Sequence, residues 1–378
     1  MDRGSLDMIA KRKIDEYYMS HALSLAWRGL DTTSPNPRVG CVLVKEGRVI
    51  GEGYHARWGG PHAEVVALND AAKKGGETKG ATAYVTLEPC SHFGKTPPCA
   101  PRLVDEGIAR VVVGSVDPNP KVKGKGLEIL KAAGVEVSFP CLEKECKWLN
   151  RGFFRSKTLN RPWVTLKAAT GLDGKMALAS GESKWITGDT ARNWAHLLRA
   201  EHDGILVGVG TVRVDDPELT ARNTCGKSPL RIILDVDLSL PLNSRVLQGG
   251  CLIFADGDGS GFSRKKRTLE QAGAEVCVVP SVGGRVDLKS VLQELTTRQV
   301  QSLMVEGGPK VISAFIEAEF CDSLVLFASA SLLGEGRGLG EGLRFDSMGN
   351  TVRLRETTVR RAGEDLLVEG IFRCSPAL

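Results

Sequence analysis

The chain has 378 residues, 42% hydrophobic and 25% charged, which suits a soluble globular protein long enough for two domains. Its net charge of +5 is thinly spread, and the longest basic run, Arg264 to Arg267, has no interleaved aromatics, which argues against a nucleic-acid surface. The charged start has no apolar leader, no run approaches the ~18 apolar residues of a membrane span, and the ten cysteines are scattered, so the expectation is a cytoplasmic protein with reduced thiols.

A helical period runs from Asp15 to Arg28, with Met19, Ala22, Leu23 and Ala26 on one face, and Ser34-Pro-Asn-Pro37 ends it. Strands are expected at Val39–Val44 and Val49–Tyr54 around the turn Lys45-Glu-Gly47. A helix is expected at Pro61–Lys73, a strand at Ala83–Leu87, a helix at Ala100–Glu106, a strand at Val111–Gly114, a helix at Gly126–Ala132 and a strand at Val135–Phe139. Residues Cys141 to Arg161 carry many charges and read as a linking helix and loop. A second alternating series follows. Its strands are Trp163–Ala168, Gly204–Val209, Leu230–Leu234, Cys251–Phe254, Glu275–Val279, Ser302–Val305, Leu324–Phe327 and Leu366–Ile371, with helices near Asp189–Glu201, Leu288–Leu295 and Lys310–Ala318. Such alternation implies two α/β layered domains, taken here as residues 1–150 and 151–378.

Two short segments carry chemistry. Pro61-His-Ala-Glu64 opens a helix, and Glu88-Pro-Cys90 to Cys99 lies between a strand and a helix. His62, Cys90 and Cys99 supply three ligands and leave a fourth tetrahedral position open, as catalytic Zn2+ requires. Zinc lowers the pKa of bound water toward about 7. Glu64, two residues from His62, can carry protons without occupying the metal. His-x-Glu followed by Pro-Cys and a second Cys is the zinc-deaminase pattern. The departure is the spacing, since eight residues separate Cys90 from Cys99 where the common pattern has two. His92 is a rival third ligand; the prevalence of thiolates in such sites favours Cys99.

The second half offers weaker signals. Gly208-Val-Gly210 and Glu306-Gly-Gly-Pro309 each follow a strand and could bring backbone close to a phosphate, but neither is a full dinucleotide fingerprint. The Gly-rich stretch 334–342 reads as a flexible loop rather than a phosphate cradle.

With these motifs in hand, the chain resembles the bifunctional riboflavin-biosynthesis deaminase/reductase family over nearly its whole length. The resemblance rests on Ser34-Pro-Asn-Pro-Arg-Val-Gly-Cys41, Gly-Tyr-His55, Pro-His-Ala-Glu64, Thr86 to Cys99 and Asp117-Pro-Asn-Pro120 in the first half. In the second it rests on Lys167 to Lys175, Ser183-Lys-Trp-Ile-Thr187, Thr211 to Pro217, Leu219-Thr-Ala-Arg222 and Glu306-Gly-Gly-Pro309. The long Cys spacing belongs to this family. The resemblance implies a cytidine-deaminase-like three-layer domain followed by a dihydrofolate-reductase-like domain. It implies deamination of 2,5-diamino-6-ribosylamino-4(3H)-pyrimidinone 5′-phosphate, then NADPH-dependent reduction of the ribosyl group of the aminouracil product to ribityl. By carry-over, Asn36, His55, His92, Lys95, Asp117 and Asn119 meet the first substrate. Ala169, Trp185, Thr211, Asp215 and Gly308 meet NADPH. Lys167, Ser183, Arg199, Leu219, Arg222 and Glu306 meet the second substrate, with Arg199 and Arg222 suited to its phosphate. Partners are then small phosphorylated pyrimidines, with no nucleic acid or membrane, and a homo-oligomer is expected. The rival reading is a nucleic-acid base deaminase whose second domain only binds; the long Cys spacing and the lack of a basic stripe oppose it.

Overall fold

The computed structural model of the chain describes residues 3–93, 97–120, 122–222, 224, 226–258 and 261–378. It divides into two compact units between Asn160 and Arg161. The helix Arg151–Leu159 therefore belongs to the first unit, where Phe153 and Phe154 pack with Leu87; the expected division at residue 150 would have given it to the second.

In the first unit α1 (Arg3–Ala26) precedes β1 (Gly40–Lys45), β2 (Arg48–Tyr54), α2 (Ala63–Lys73), β3 (Thr82–Leu87), α3 (Cys99–Asp105), β4 (Arg110–Ser115), α4 (Lys125–Ala132), β5 (Glu136–Ser138), α5 (Glu143–Leu149) and α6 (Arg151–Leu159). The sheet order is β2-β1-β3-β4-β5. β1 is antiparallel to both neighbours, and β3, β4 and β5 are parallel. Side chains alternate across a sheet, and here both faces are apolar. Cys41, Leu43, Ala83, Val85, Val111 and Val113 pack against Ala67, Leu68, Leu103 and Leu130 of α2, α3 and α4. Val42, Val44, Tyr84 and Val112 pack against Met19, Ala22 and Leu149 of α1 and α5. A sheet covered on both sides by helices gives the three layers. Burying one such aliphatic side chain is worth about 1.5–3 kcal/mol. Glycine lets α2 approach β2 closely: a Cβ on Gly53 would stand 2.4 Å from the Ala63 carbonyl oxygen and from the Ala67 nitrogen. The start of α2 carries His62 against Cys90 and Cys99, in the segment that follows β3.

The second unit runs β6 (Trp163–Thr170), α7 (Asp189–Glu201), β7 (Gly204–Gly208), α8 (Val209–Asp215), β8 (Leu230–Leu234), β9 (Cys251–Ala255), α9 (Phe262–Gln271), β10 (Ala274–Val278), the hairpin β11 (Ser281–Val282) and β12 (Arg285–Val286), α10 (Leu288–Thr297), β13 (Ser302–Val305), α11 (Pro309–Glu317), β14 (Ser323–Ala328), β15 (Leu354–Ala362) and β16 (Asp365–Phe372). The nine-stranded sheet has the order β10-β9-β8-β7-β13-β6-β14-β16-β15. It is parallel from β10 to β14 and antiparallel in its last two strands. Leu206, Ile232 and Leu303 face Leu292, Ile312 and Phe315, while Ile205, Val207, Ile233 and Met304 fill the opposite face.

Several details depart from the sequence reading. α1 begins at Arg3, well before Asp15, and its residues 7–14 are all exposed. The linking segment holds two helices, α5 and α6. β15 shows no apolar alternation because most of its side chains face solvent. Arg264 to Arg267 lie within α9. The Gly-rich stretch is a strap laid on residues 173–176: Met176 N–H donates to the Arg337 carbonyl at 2.8 Å, Leu339 N–H to the Gly174 carbonyl at 3.0 Å, and the Leu333 and Gly334 amides donate to the Asp173 carboxylate, each at 2.8 Å.

Candidate active sites

His62 is the N-cap of α2, yet its imidazole makes no capping hydrogen bond. The ring turns instead toward the loop between β3 and α3, where Nδ1 lies 3.4 Å from Cys90 Sγ and 3.3 Å from Cys99 Sγ. The three donor atoms fall within 4.8 Å of one another, and this is the His/Cys/Asp/Glu cluster of metal-binding size among the described residues. One imidazole and two thiolates around a common point fit Zn2+ in charge, softness and spacing. Cys99 opens α3, and its backbone N–H donates to Cys90 Sγ at 3.2 Å, so an otherwise unsatisfied helix-terminal amide helps hold a thiolate. The Cys99 thiol, then His62 and that amide, hold the Cys90 thiol well below its ordinary value, against burial. Glu64 sits in the first turn of α2, 3% exposed. Burial, then the Cys90 charge, pushes its carboxyl up to about 7; a cation on the three ligands would pull it back.

Around this cluster stand most of the other expected residues. His55 Nδ1 is 3.0 Å from the Pro61 carbonyl, which only accepts, so that nitrogen carries the proton. Its Nε2 is 3.1 Å from Asn36 Nδ2 and accepts from it. Burial lowers the His55 pKa and favours this neutral form. The His55 and His62 rings meet edge-on at 5.5 Å. Asp117 Oδ1 accepts the Asn119 amide at 2.8 Å, and burial pushes the Asp117 carboxyl up to about 6. His92 is exposed and outside the ligand cluster. Lys95 lies outside the described residues. The sequence reading overlooked Glu88, whose buried carboxylate accepts three backbone amides; its one signal was its place before Pro-Cys90.

In the second unit, eleven expected residues line one cleft of about 1690 Å³: Lys167, Ala169, Ser183, Trp185, Arg199, Thr211, Asp215, Leu219, Arg222, Glu306 and Gly308. Two arms of the sheet supply its floor. Gly208 and Gly308 cap α8 and α11 after β7 and β13, and the Gly308 amide donates to Thr211 Oγ1 at 3.2 Å. A Cβ on Gly210 would meet nothing within 4 Å, so a ligand can approach this backbone. Trp185 is 70% exposed at the wall, with the Arg192 guanidinium 4.6 Å over its ring. Ser183 Oγ donates to Asp215 Oδ1 at 3.2 Å. An open wall of backbone, an exposed indole and a volume of this size fit a dinucleotide such as NADPH.

The cleft is organised around Glu306. Lys167 Nζ donates to its Oε1 at 2.9 Å, and Arg199 Nε donates to its Oε2 at 3.0 Å. Burial would raise the Glu306 carboxyl, but Arg199 and Lys167 outweigh it and lower it to about 2. The two arginines expected to grip one phosphate are placed differently. Arg199 is fixed in the wall by Glu306 and the Thr220 carbonyl, whereas Arg222 is half-exposed and pairs with Glu218. The Leu219 side chain is buried with Val212 and Leu240, so this residue offers its backbone to the cleft. The sequence reading also missed His196, which lines the cleft one helical turn before Arg199 and contacts the Thr220 carbonyl at 3.2 Å. The i, i+3 spacing from Arg199 was its only signal.

A metal-ready hydrolytic site on one α/β unit and a dinucleotide-sized cleft on another define a two-domain deaminase/reductase. The family model for the cytidine and deoxycytidylate deaminase zinc-binding region matches residues 12–115, and that for the RibD C-terminal domain matches residues 162–368. The riboflavin biosynthesis protein RibD of Aquifex aeolicus is 44% identical over 362 residues, covering 94% of this chain and 98% of that protein. The RibD of Escherichia coli is 41% identical over 369 residues, covering 93% and 98%. Among solved structures, Acinetobacter baumannii RibD superposes with a TM-score of 0.86 at 38% identity, covering 96% of this chain and 99% of that one. A diaminohydroxyphosphoribosylaminopyrimidine deaminase/5-amino-6-(5-phosphoribosylamino)uracil reductase from Thermotoga maritima gives 0.85 at 38% identity, covering 96% and 99%. The chain belongs to the RibD family. It is a bifunctional deaminase and reductase of riboflavin biosynthesis that acts on small pyrimidines and uses Zn2+ and NADPH. No described helix is long and apolar enough to cross a membrane.

Proposed function

We propose that the first unit deaminates the diaminopyrimidinone carrying a ribosylamino 5′-phosphate, and that the second reduces the ribosyl group of the resulting aminouracil to ribityl. The observation that carries this reading is the convergence of His62, Cys90 and Cys99 beside buried Glu64. Zinc held by those ligands supplies Lewis acidity that makes water nucleophilic near neutral pH. Glu64 takes a proton from the attacking water and returns protons to the ring nitrogen and the departing amine, which leaves as ammonia. Asn36, His55, Asp117 and Asn119, with His92 and Lys95 from the loop between the cysteines, orient the heterocycle and its phosphate.

In the second unit NADPH supplies the hydride, against Ala169, Trp185, Thr211, Asp215 and Gly308. Ser183, Leu219 and Arg222 receive the substrate. Lys167, locked by Glu306, is placed to orient the reacting ribose, and Arg199 fixes Glu306 from the other side. The work of this half is to hold two carbons together and exclude water. This reading includes a homo-oligomeric, cytoplasmic enzyme.

The test is to supply the diaminopyrimidinone phosphate with NADPH and follow ammonia first and NADPH oxidation second. Both signals in that order are expected. Ammonia without oxidation would leave the second unit a binding module, and no ammonia would reject the substrate.

A further inference from the structure

We infer that Glu88 is a positioning residue for the deaminase, a buried anion that clamps the loop after β4 onto the metal-binding loop. Its side chain is 4% exposed. One carboxylate oxygen, Oε2, accepts the amides of Asp117 at 3.1 Å and Gly124 at 3.0 Å; the other, Oε1, accepts Gly126 N–H at 2.9 Å. The Glu88 amide in turn donates to the Ser115 carbonyl at 2.8 Å, which extends the pairing of β3 with β4. A single side chain two residues before Cys90 thus gathers three amides that lie two to eleven residues beyond the end of β4.

The surroundings are shaped for this contact. A Cβ on Gly126 would lie 2.0 Å from the Pro89 carbonyl oxygen and 3.2 Å from Glu88 Oε1, so only glycine lets that amide reach the carboxylate. Gly124, at φ 82°, adopts a left-handed conformation that glycine favours. The clamped segment begins at Asp117, which itself accepts the Asn119 amide. Charged acceptors make stronger hydrogen bonds than neutral ones, and no neutral side chain of this shape offers two acceptor oxygens. Glutamine keeps one and turns an NH2 donor toward donors.

The inference rests on the proposed reading that Asp117 and Asn119 meet the substrate. Its consequence is a split: loosening the clamp weakens substrate binding while the metal ligands and Glu64 stay in place. The experiment uses the full-length, zinc-loaded protein as wild type, Glu88→Gln, Glu88→Asp and Asn119→Ala. It measures zinc per chain, deaminase kcat and KM, reductase KM with the aminouracil substrate, and amide exchange of peptides covering 117–126. Glu88→Gln should raise the deaminase KM about 10- to 100-fold, the scale of one lost hydrogen bond to a charged group. It should also speed exchange in that segment, with zinc content and reductase KM unchanged, and Glu88→Asp should recover part of the loss. Unchanged exchange in Glu88→Gln overturns the clamp, and so does a rise in KM that follows zinc loss. Asn119→Ala should raise KM without speeding exchange. An unaltered KM there, beside faster exchange in Glu88→Gln, rejects the substrate reading of this loop and with it the functional half of the inference.

Discussion

Each unit sets one glutamate at the centre of its site, and the two are treated in opposite ways. Glu64 stands beside the Cys90 and Cys99 thiols, and burial, then the Cys90 charge, pushes its carboxyl up to about 7 against the pull of His62. Glu306 is half-buried in the cleft wall, and Lys167 and Arg199 hold it down at about 2. A carboxyl near neutrality can take and give a proton; one locked between two cations cannot, and serves as an anchor. The hydrolytic unit places its acid beside the metal-ready cluster, where a bound cation would lower it again, while the reductive unit uses its acid to fix a lysine and an arginine in a wall.

The comparison breaks most readily at Glu64. Glu64→Gln should keep zinc and lower the rate of ammonia release by about 10²- to 10⁴-fold, with NADPH oxidation of supplied aminouracil substrate unaltered. A variant that deaminates at the native rate removes the proton carrier from the account. At Glu306 the expected effect is on stability as well as reduction. Glu306→Gln leaves two half-buried cations, Lys167 and Arg199, without their anion and should cost about 1–3 kcal/mol in urea unfolding. The sign of the pH dependence follows from the lowered carboxyl. Its contribution is complete above the ordinary value of 4.5 and is lost as pH falls through that value toward about 2. The stability gap between wild type and Glu306→Gln should therefore narrow from pH 6 to pH 3; a constant gap would mean that Glu306 is not ion-paired. The smallest effect concerns the ligand set. Cys99→Ser should weaken zinc retention on dialysis by about 10-fold or more, and His92→Ala should leave it near wild type. The reverse order would move the third ligand to His92.

The contrast also explains what could be read from the sequence. His62, Glu64, Cys90 and Cys99 were legible because metal and proton chemistry demand particular residue types at short spacings. The cleft was legible only through family resemblance: Ala169, Thr211 and Gly308 line it with backbone and small side chains, which any small residue could supply. Glu88 escaped notice because three amides folding onto one carboxylate leave no periodic trace. The first half of α1 and all of β15 escaped for another reason. Periodicity records burial, and most of their side chains are solvent-exposed. The strap at 334–342 looked loose because its glycines carry no side chains, yet its order comes from backbone hydrogen bonds to residues 173–176.

The central claim is that one chain holds two chemically independent sites, only the first of which depends on the His62, Cys90 and Cys99 ligands. The direct measurement is to remove zinc with a chelator and follow both reactions on separately supplied substrates, before and after zinc is returned. Ammonia release should disappear and return with zinc, while NADPH oxidation with the aminouracil substrate stays constant throughout. Deamination that persists in zinc-free protein, or reduction that falls with it, would contradict the account.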